Sequence, residues 1–331
     1  MADLAALGWN ADVEADFAAV AAEGLVPGRV SLEHNQIYRV LTSDGEWLAE
    51  VTGRMKHEAS ARHELPAVGD WVALRPPADG GRAVIRAILP RRSWFSRKVA
   101  GRETVEQVVA ANIDLVFLVS SLEGHVKPRS IERYLIVARQ SGAQPVIVLN
   151  KADLAEDLTG AVAEVTAVAG DTPVHAVSAG DGRGFEWLEG HLGIGRTIAL
   201  LGPSGAGKSS IINRLAGRAL LATGEVRPWD ARGRHISVHR ELIVLDRGGI
   251  VIDTPGMREL SLWEVHESLD QTFDDVLAFA PGCRFRDCRH DREPGCAVKA
   301  AVERGELDAG RHASYLKLAR ERDEIASKRR R

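Results

Sequence analysis

Between Arg29 and about Arg97 the apolar positions come in short runs, several alternating with polar ones. The runs are Val30-Ser31-Leu32, Ile37-Tyr38-Arg39-Val40-Leu41, Trp47-Leu48-Ala49-Glu50-Val51, Trp71-Val72-Ala73-Leu74 and Ala83-Val84-Ile85-Arg86-Ala87-Ile88. A period of two is the signature of a strand with one dry face and one wet face. Ser43-Asp44-Gly45 and Ala78-Asp79-Gly80-Gly81 offer hairpin turns between them. Five short strands in about seventy residues predict a small closed barrel; an OB-fold is the economical choice and another small β-barrel the alternative. Ahead of it, residues 1–27 are Ala-rich with scattered acids and predict a helix or two before Pro27-Gly28.

Past Glu103 the period changes. Ile113-Asp114-Leu115-Val116-Phe117-Leu118-Val119 is almost unbroken in apolar character, as a strand covered on both faces should be. Ser130 is placed to cap a helix running through Gln140 and ending near Gly142. Pro145-Val146-Ile147-Val148-Leu149 is the next strand, with Asn150 at its C-terminal end. Further strands are expected at 174–177, 197–201, 242–245 and 250–252, with helical stretches between most of them. This alternation predicts a mostly parallel α/β sheet, whose ligands sit beyond the carboxyl ends of the strands. From Ser261 onward the pattern is mainly helical, interrupted by a cysteine window. The expected division is a helical extension at 1–27, the barrel at 28–98, the α/β domain at 99–262 and a helical, metal-binding region at 263–331.

Three motifs begin at strand ends. Gly202-Pro203-Ser204-Gly205-Ala206-Gly207-Lys208-Ser209, followed by Ser210, matches G-x-x-x-x-G-K-S between a strand and a helix-forming run. Such a loop closes its amides around a β-phosphate, with Lys208 for the β- and γ-phosphates and the Ser209 hydroxyl for Mg²⁺. Asn150-Lys151-Ala152-Asp153 reads as a guanine-recognition tetrapeptide. The Asp153 carboxylate would accept from guanine N1–H and the 2-amino group, donors that adenine lacks. Lys151 would lay its stem along the base plane, and Ser178-Ala179 would offer an amide to the guanine carbonyl. In Asp253-Thr254-Pro255-Gly256, Asp253 would hold Mg²⁺ through water and the Gly256 amide would touch the γ-phosphate. Met257 stands where many GTPases place a water-orienting Gln, so His235 or His239 is the candidate for that task. Ordinary GTPases carry the guanine motif after the phosphate loop. Here it comes first, which predicts a circularly permuted P-loop GTPase domain.

Composition adds a metal and constrains the partners. All three cysteines lie in Cys283-x4-Cys288-x-His290-x5-Cys296. An odd cysteine count in one short window suits a closed tetrahedral Zn²⁺ site better than disulfides. Net charge is only −3 over 331 residues, yet 82–102 holds seven Lys/Arg and no Asp or Glu. That run reads either as a solvated face or as a nucleic-acid-binding one, and Trp94 and Phe95 within it either stack on bases or pack between the barrel and the α/β domain. No apolar run reaches membrane-helix length and no export signal opens the chain, so a cytoplasmic location is expected.

Barrel, reversed nucleotide motifs and Cys-x4-Cys-x-His-x5-Cys together resemble the RsgA/YjeQ family of small-subunit-dependent ribosome biogenesis GTPases. The likeness runs from about Gly28 to about Leu318. It includes Ala67-Val68-Gly69-Asp70-Trp71-Val72, Pro90-Arg91-Arg92-Ser93, Ala110-Ala111-Asn112-Ile113-Asp114, Gly233-Arg234-His235 and Asp253-Thr254-Pro255-Gly256-Met257-Arg258-Glu259-Leu260. The resemblance implies an OB-fold, a permuted G domain and a zinc domain, acting as a monomer free of membranes. It also implies binding to the small ribosomal subunit and its rRNA late in assembly, rRNA-stimulated GTP hydrolysis, and departure afterwards. The family's switch histidine falls at His235. The three threonines that usually follow it are here Ile236, Ser237 and Val238, of which only Ser237 keeps a hydroxyl for Mg²⁺. This departure keeps open an alternative, a GTP-gated RNA-binding module with little turnover.

Overall fold

The alternating runs of the first third pair as their period requires. The structure is a computed structural model that describes residues 3–59, 62–78, 80–99, 105–221, 240–253 and 266–329. Strands β1 (Val26–His34), β2 (Ile37–Thr42), β3 (Gly45–Val51), β4 (Trp71–Arg75) and β5 (Ala83–Ile88) pair in the cycle β1-β2-β3-β5-β4-β1. All pairings are antiparallel except β3 with β5. Closure leaves no open edge. Val30, Tyr38, Val40, Ala49, Val51, Val72, Leu74, Ala83 and Ile85 fill the interior. The register of β1 shifts between Val30 and Leu32, and Leu32 then pairs with Glu241 of the neighbouring sheet. A bulge of this kind bends a strand, and here it lets β1 serve two sheets.

The Ala-rich start forms α1 (Ala11–Val20), capped by Asn10 Oδ1, which accepts from Asp12 N–H (3.1 Å) and Val13 N–H (3.0 Å). Leu7 and Val13 bury against Trp71 and Leu89, joining this segment to the barrel. A short helix α2 (Gly53–Glu58) follows β3, with Thr52 Oγ1 accepting from Met55 N–H.

The basic stretch contains a hairpin that its charge disguises. Strands β6 (Trp94–Val99) and β7 (Val105–Ala111) pair antiparallel, Trp94 opposite Ala111 and Phe95 opposite Ala110. Its two aromatics part company: Phe95 is 2% exposed and belongs to the α/β core, whereas Trp94 is 44% exposed.

The α/β part contains β8 (Leu115–Ser121), α3 (Pro128–Gln140), β9 (Gln144–Asn150), α4 (Leu158–Ala169), β10 (Val174–Ala176), α5 (Phe185–Gly190), β11 (Thr197–Leu201), α6 (Lys208–Ala216), β12 (Glu241–Val244) and β13 (Ile250–Asp253). Strand order is β10-β9-β8-β11-β13-β12, parallel throughout except β12. Helix α3 starts at Pro128, two residues before the expected cap Ser130, because proline's fixed φ suits the first helical position. Helices α5 and α6 cover one face of the sheet. The other face is covered by α3, α4 and the C-terminal helices α7 (His266–Thr272), α8 (Asp274–Leu277), α9 (Ala297–Glu303) and α10 (Ala309–Arg329). Among the described residues no helix is long and apolar enough to cross a membrane.

Candidate functional site

Parallel pairing brings the carboxyl ends of β8, β9, β11 and β13 to one edge of the sheet, and with them Asn150, Gly202 and Asp253, the first residues of the three motifs. The phosphate loop leaves β11 at Gly202 and enters α6 at Lys208. Two of its glycines are fixed by crowding as well as by backbone angle. Gly202 has φ 151°, and a Cβ there would stand 2.1 Å from Val119 O; Gly207 has φ 91°, and a Cβ there would stand 2.1 Å from Asn150 Nδ2. Both positions demand a residue without a side chain. Lys208 Nζ donates to Gly202 O (2.8 Å) and Pro203 O (2.7 Å), holding the ammonium across the loop where phosphate oxygens would be received.

Asn150 joins the two halves of the site. It is buried at the end of β9, its Nδ2 donates to Ala206 O (2.9 Å), and its Oδ1 accepts from Ala179 N–H (3.1 Å). One side chain therefore ties the G-x-x-x-x-G-K-S loop, the Asn150–Asp153 tetrapeptide and the Ser178-Ala179 loop together, across 56 and 29 residues of sequence. Lys151 has φ 63°, which turns the chain sharply after Asn150, and its ammonium pairs with Glu123 just past the end of β8. Asp153 is exposed and lies beside the next loop: a Cβ on Gly180 would be 3.9 Å from its Oδ2. Ser178 is buried and its Oγ accepts from Asp181 N–H.

Both amides of the Ser178-Ala179 dipeptide, expected to offer one to a guanine carbonyl, are engaged, Ser178 N–H with Arg183 O and Ala179 N–H with Asn150 Oδ1, and Gly180 follows them beside Asp153. Ser209 and Ser210 lie in the first turn of α6, and Asp253 ends β13, the strand next to β11. Gly256, with Thr254, Pro255 and Met257, lies outside the described residues, as do His235, Ile236, Ser237, Val238 and His239. Sequence reasoning missed Glu123, Gly180 and Arg214; the only signal was the run of glycines at 180, 182 and 184.

A second cluster lies in the C-terminal region. Cys283, Cys288, His290 and Cys296 bring one ligand atom each to within 4.8 Å of one another. Cys283 Sγ is 3.9 Å from Cys296 Sγ, and His290 Nδ1 is 3.5 Å from Cys283 Sγ and 3.6 Å from Cys296 Sγ. A tetrahedral ion with Zn–S and Zn–N bonds of ordinary length sets edges of roughly 3.8 Å between sulfurs and roughly 3.5 Å between sulfur and nitrogen. The cluster therefore fits a four-coordinate metal ion. His290 has φ 61°, and its carbonyl contacts His312 Nε2 (2.8 Å) on α10, so the ligand loop is fastened to the long helix. Burial, more than its neighbour His312, holds the His290 imidazole below its ordinary value, which favours the neutral ring a metal requires.

The RsgA GTPase family model matches residues 88–263. A small ribosomal subunit biogenesis GTPase RsgA of Opitutus terrae is 50% identical over 327 residues, covering 96% of this chain and 89% of its own length. The chain belongs to the RsgA GTPase family. The RsgA of Syntrophotalea carbinolica is 44% identical over 97% of this chain and 89% of its own. Two solved structures share the fold. YjeQ from Thermotoga maritima has a TM-score of 0.66 at 30% identity, covering 90% of this chain and 98% of its own. YloQ, described as a circularly permuted GTPase, has a TM-score of 0.62 at 27% identity, covering 92% and 96%. This member of the RsgA family is thus a GTP-hydrolysing enzyme built from a closed barrel, a circularly permuted P-loop domain and a C-terminal helical region with a metal-competent Cys3His cluster.

Proposed function

We propose that this GTPase is a cytoplasmic, monomeric factor for late maturation of the small ribosomal subunit, which binds rRNA and leaves after GTP hydrolysis. The observation that carries the site assignment is the Asn150 bridge, since it holds the guanine tetrapeptide at a fixed distance from the phosphate loop. The names of the relatives support the ribosomal partner. The chemistry follows from the residues. Asp153 accepts from guanine N1–H and the 2-amino group, and the Lys151 stem lies along the base plane. The amides of 203–208 receive the phosphates, and Lys208 exchanges the Gly202 and Pro203 carbonyls for phosphate oxygens. The Ser209 hydroxyl would hold Mg²⁺ directly and the Asp253 carboxylate through water, and the Gly256 amide would touch the γ-phosphate. Mg²⁺, when bound, neutralises charge building on the β- and γ-oxygens. His235, or a group on the ribosome, orients the attacking water. The Cys3His cluster holds one structural Zn²⁺ and takes no part in hydrolysis.

Removing Asp153's two charge-assisted bonds, each worth about 1.5–3 kcal/mol, sets the scale of the test. Asp153→Ala should weaken GTP at least about 100-fold while ATP stays weak. Unaltered preference for GTP over ATP in that variant would reject the guanine-site assignment. Turnover should rise about 10³–10⁵-fold when a partner completes the site, as in other GTPases that are completed in trans. Purified small subunits that leave the GTP turnover of the wild type and of His235→Ala unchanged would favour a nucleotide-gated RNA-binding module instead.

A further inference from the structure

The loop after β10 runs Ser178-Ala179-Gly180-Asp181-Gly182-Arg183, with little side-chain bulk to hold it in place. Its own bonds close it into a turn: Ser178 N–H donates to Arg183 O (2.9 Å), Gly182 N–H to Ser178 O (2.8 Å) and Asp181 N–H to Ser178 Oγ (3.2 Å). Two side chains from other elements fix where that turn stands. Asn150, on β9, accepts the Ala179 N–H. Arg214, on α6, donates from Nη1 to Ala179 O (3.2 Å) and Gly180 O (3.4 Å). Its guanidinium carbon sits 5.2 Å from the Phe185 ring centroid, and a Cβ on Gly182 would lie 1.8 Å from Nη2. The same helix starts at Lys208, so Arg214 stands about 9 Å along the axis from the phosphate-gripping end.

Peptide planarity gives these bonds a direction. The Ala179 carbonyl and the Gly180 N–H belong to one rigid trans unit and point opposite ways. By holding the carbonyl, Arg214 turns the Gly180 N–H to the far side, and Gly180 is the loop residue beside Asp153. On guanine, O6 adjoins the N1–H that Asp153 would read. We propose that Arg214 is a specificity-determining positioning residue: it locks the Ala179–Gly180 peptide so that the purine 6-position meets a donor and not a carbonyl. With the peptide free to turn over, the Ala179 carbonyl would face the 6-position and accept from an adenine amino group. The proposal rests on the guanine-site assignment above.

The test compares binding of GDP, 6-thioguanosine diphosphate, whose sulfur is a poorer acceptor at the 6-position, and inosine diphosphate, which lacks only the 2-amino group. In the wild type the thio nucleotide should bind roughly three- to tenfold more weakly than GDP, the scale of one neutral hydrogen bond. Arg214→Ala should bring that ratio close to one, leave the inosine-to-guanosine ratio unchanged, and weaken GDP by a similar factor. Arg214→Met, which keeps the stem over Phe185, should behave like Arg214→Ala, and Arg214→Lys should restore part of the discrimination. A general loosening of the fold would move both ratios together. An unchanged thio ratio in the Ala and Met variants, both ratios moving alike, or a wild type that does not distinguish the thio nucleotide would each overturn the proposal. Asp153→Asn is the separate control: if it leaves the inosine ratio intact, the guanine-site assignment fails whatever Arg214 does.

Discussion

Gly207 shows how one residue can be held by two demands at once. Its φ of 91° is costly for a side chain, and the space where a Cβ would go is filled by Asn150 Nδ2. Gly207→Ala therefore adds about 1–2 kcal/mol of backbone strain and displaces the amide that carries the Asn150 bridge. Nucleotide affinity should fall at least about tenfold, read by titration with GDP. Asn150→Ala should produce a loss of similar size without the strain. A Gly207→Ala protein that binds GDP like the wild type would show that the bridge does not organise the site. Lys151 and Glu123 make a different kind of pair. The ion pair is partly exposed and contributes little to stability, so its interest lies in where it holds the Lys151 stem.

The Cys3His segment is an irregular loop held by its own turns, by the Glu293 carboxylate and by the His290–His312 contact, and a bound metal would add to these ties. It spans Pro281, Gly282, Pro294 and Gly295, and its ordered bonds include Cys288 N–H to Phe285 O (3.4 Å) and Ala297 N–H to Cys283 Sγ (3.3 Å). Metal binding of about 10–16 kcal/mol at neutral pH would add to the folding energy of such a loop. We expect one zinc per chain by elemental analysis, retained through mild chelation. Cys296→Ser should lose the metal and, with it, helical signal from α9 and the start of α10. Burial, together with the neighbouring Cys296 and Cys283, pushes the Cys288 thiol up to about 11. That thiol is then protonated at neutral pH, so zinc must displace its proton. Apparent zinc affinity should therefore weaken as pH falls below neutral, because protons compete with zinc for the thiolates. Affinity that does not change between pH 6 and pH 8 would count against thiolate ligation.

Across the whole molecule, buried charges join parts that are far apart in sequence. Arg311 on α10 donates to Glu132 Oε1 on α3 (2.7 Å), to both oxygens of Asp275 (2.9 Å each) and to Thr272 O (2.6 Å), with Phe273 under its guanidinium at 4.3 Å. Ser314 also donates to Glu132. Glu132 is 2% exposed, so removing its partner leaves a charge stranded between the α/β core and the C-terminal helices. Arg311→Met should cost about 3–5 kcal/mol in urea unfolding, and Arg311→Met with Glu132→Leu clearly less, because the stranded charge goes as well. Equal losses in the single and double variants would mean that packing, not charge, makes this joint. Arg29 plays the matching part at the other end of the chain. Fully buried, it donates to the Leu7, Gly69 and Asn112 carbonyls and to Thr197 Oγ1 on β11, uniting the N-terminal segment, the barrel and the sheet. Burial lowers it to about 10, partly offset by Asp114 and Asp70, so it stays protonated at neutral pH.

Local pattern alone was enough for a good part of this protein. The period of two from Val30 to Ile88 fixes five strands. The unbroken apolar runs at 115–119 and 146–149 mark strands covered on both faces. The G-x-x-x-x-G-K-S spacing and the Cys-x4-Cys-x-His-x5-Cys spacing point to candidate site residues, because each is a short-range rule about neighbours along the chain. Other features depend on groups brought together from distant segments. The β6–β7 hairpin was hidden under a basic run, and Phe95 was separated from Trp94 only by which side of that hairpin meets the core. The Asn150 bridge spans 56 residues and the Arg311–Glu132 contact 179. Arg214's grip on the base loop likewise requires α6 to pack beside a turn that ends another strand. No sequence window contains such pairs. The chain wrote down the elements and the ligands in order, and the folding of the sheet chose which side chains would face one another.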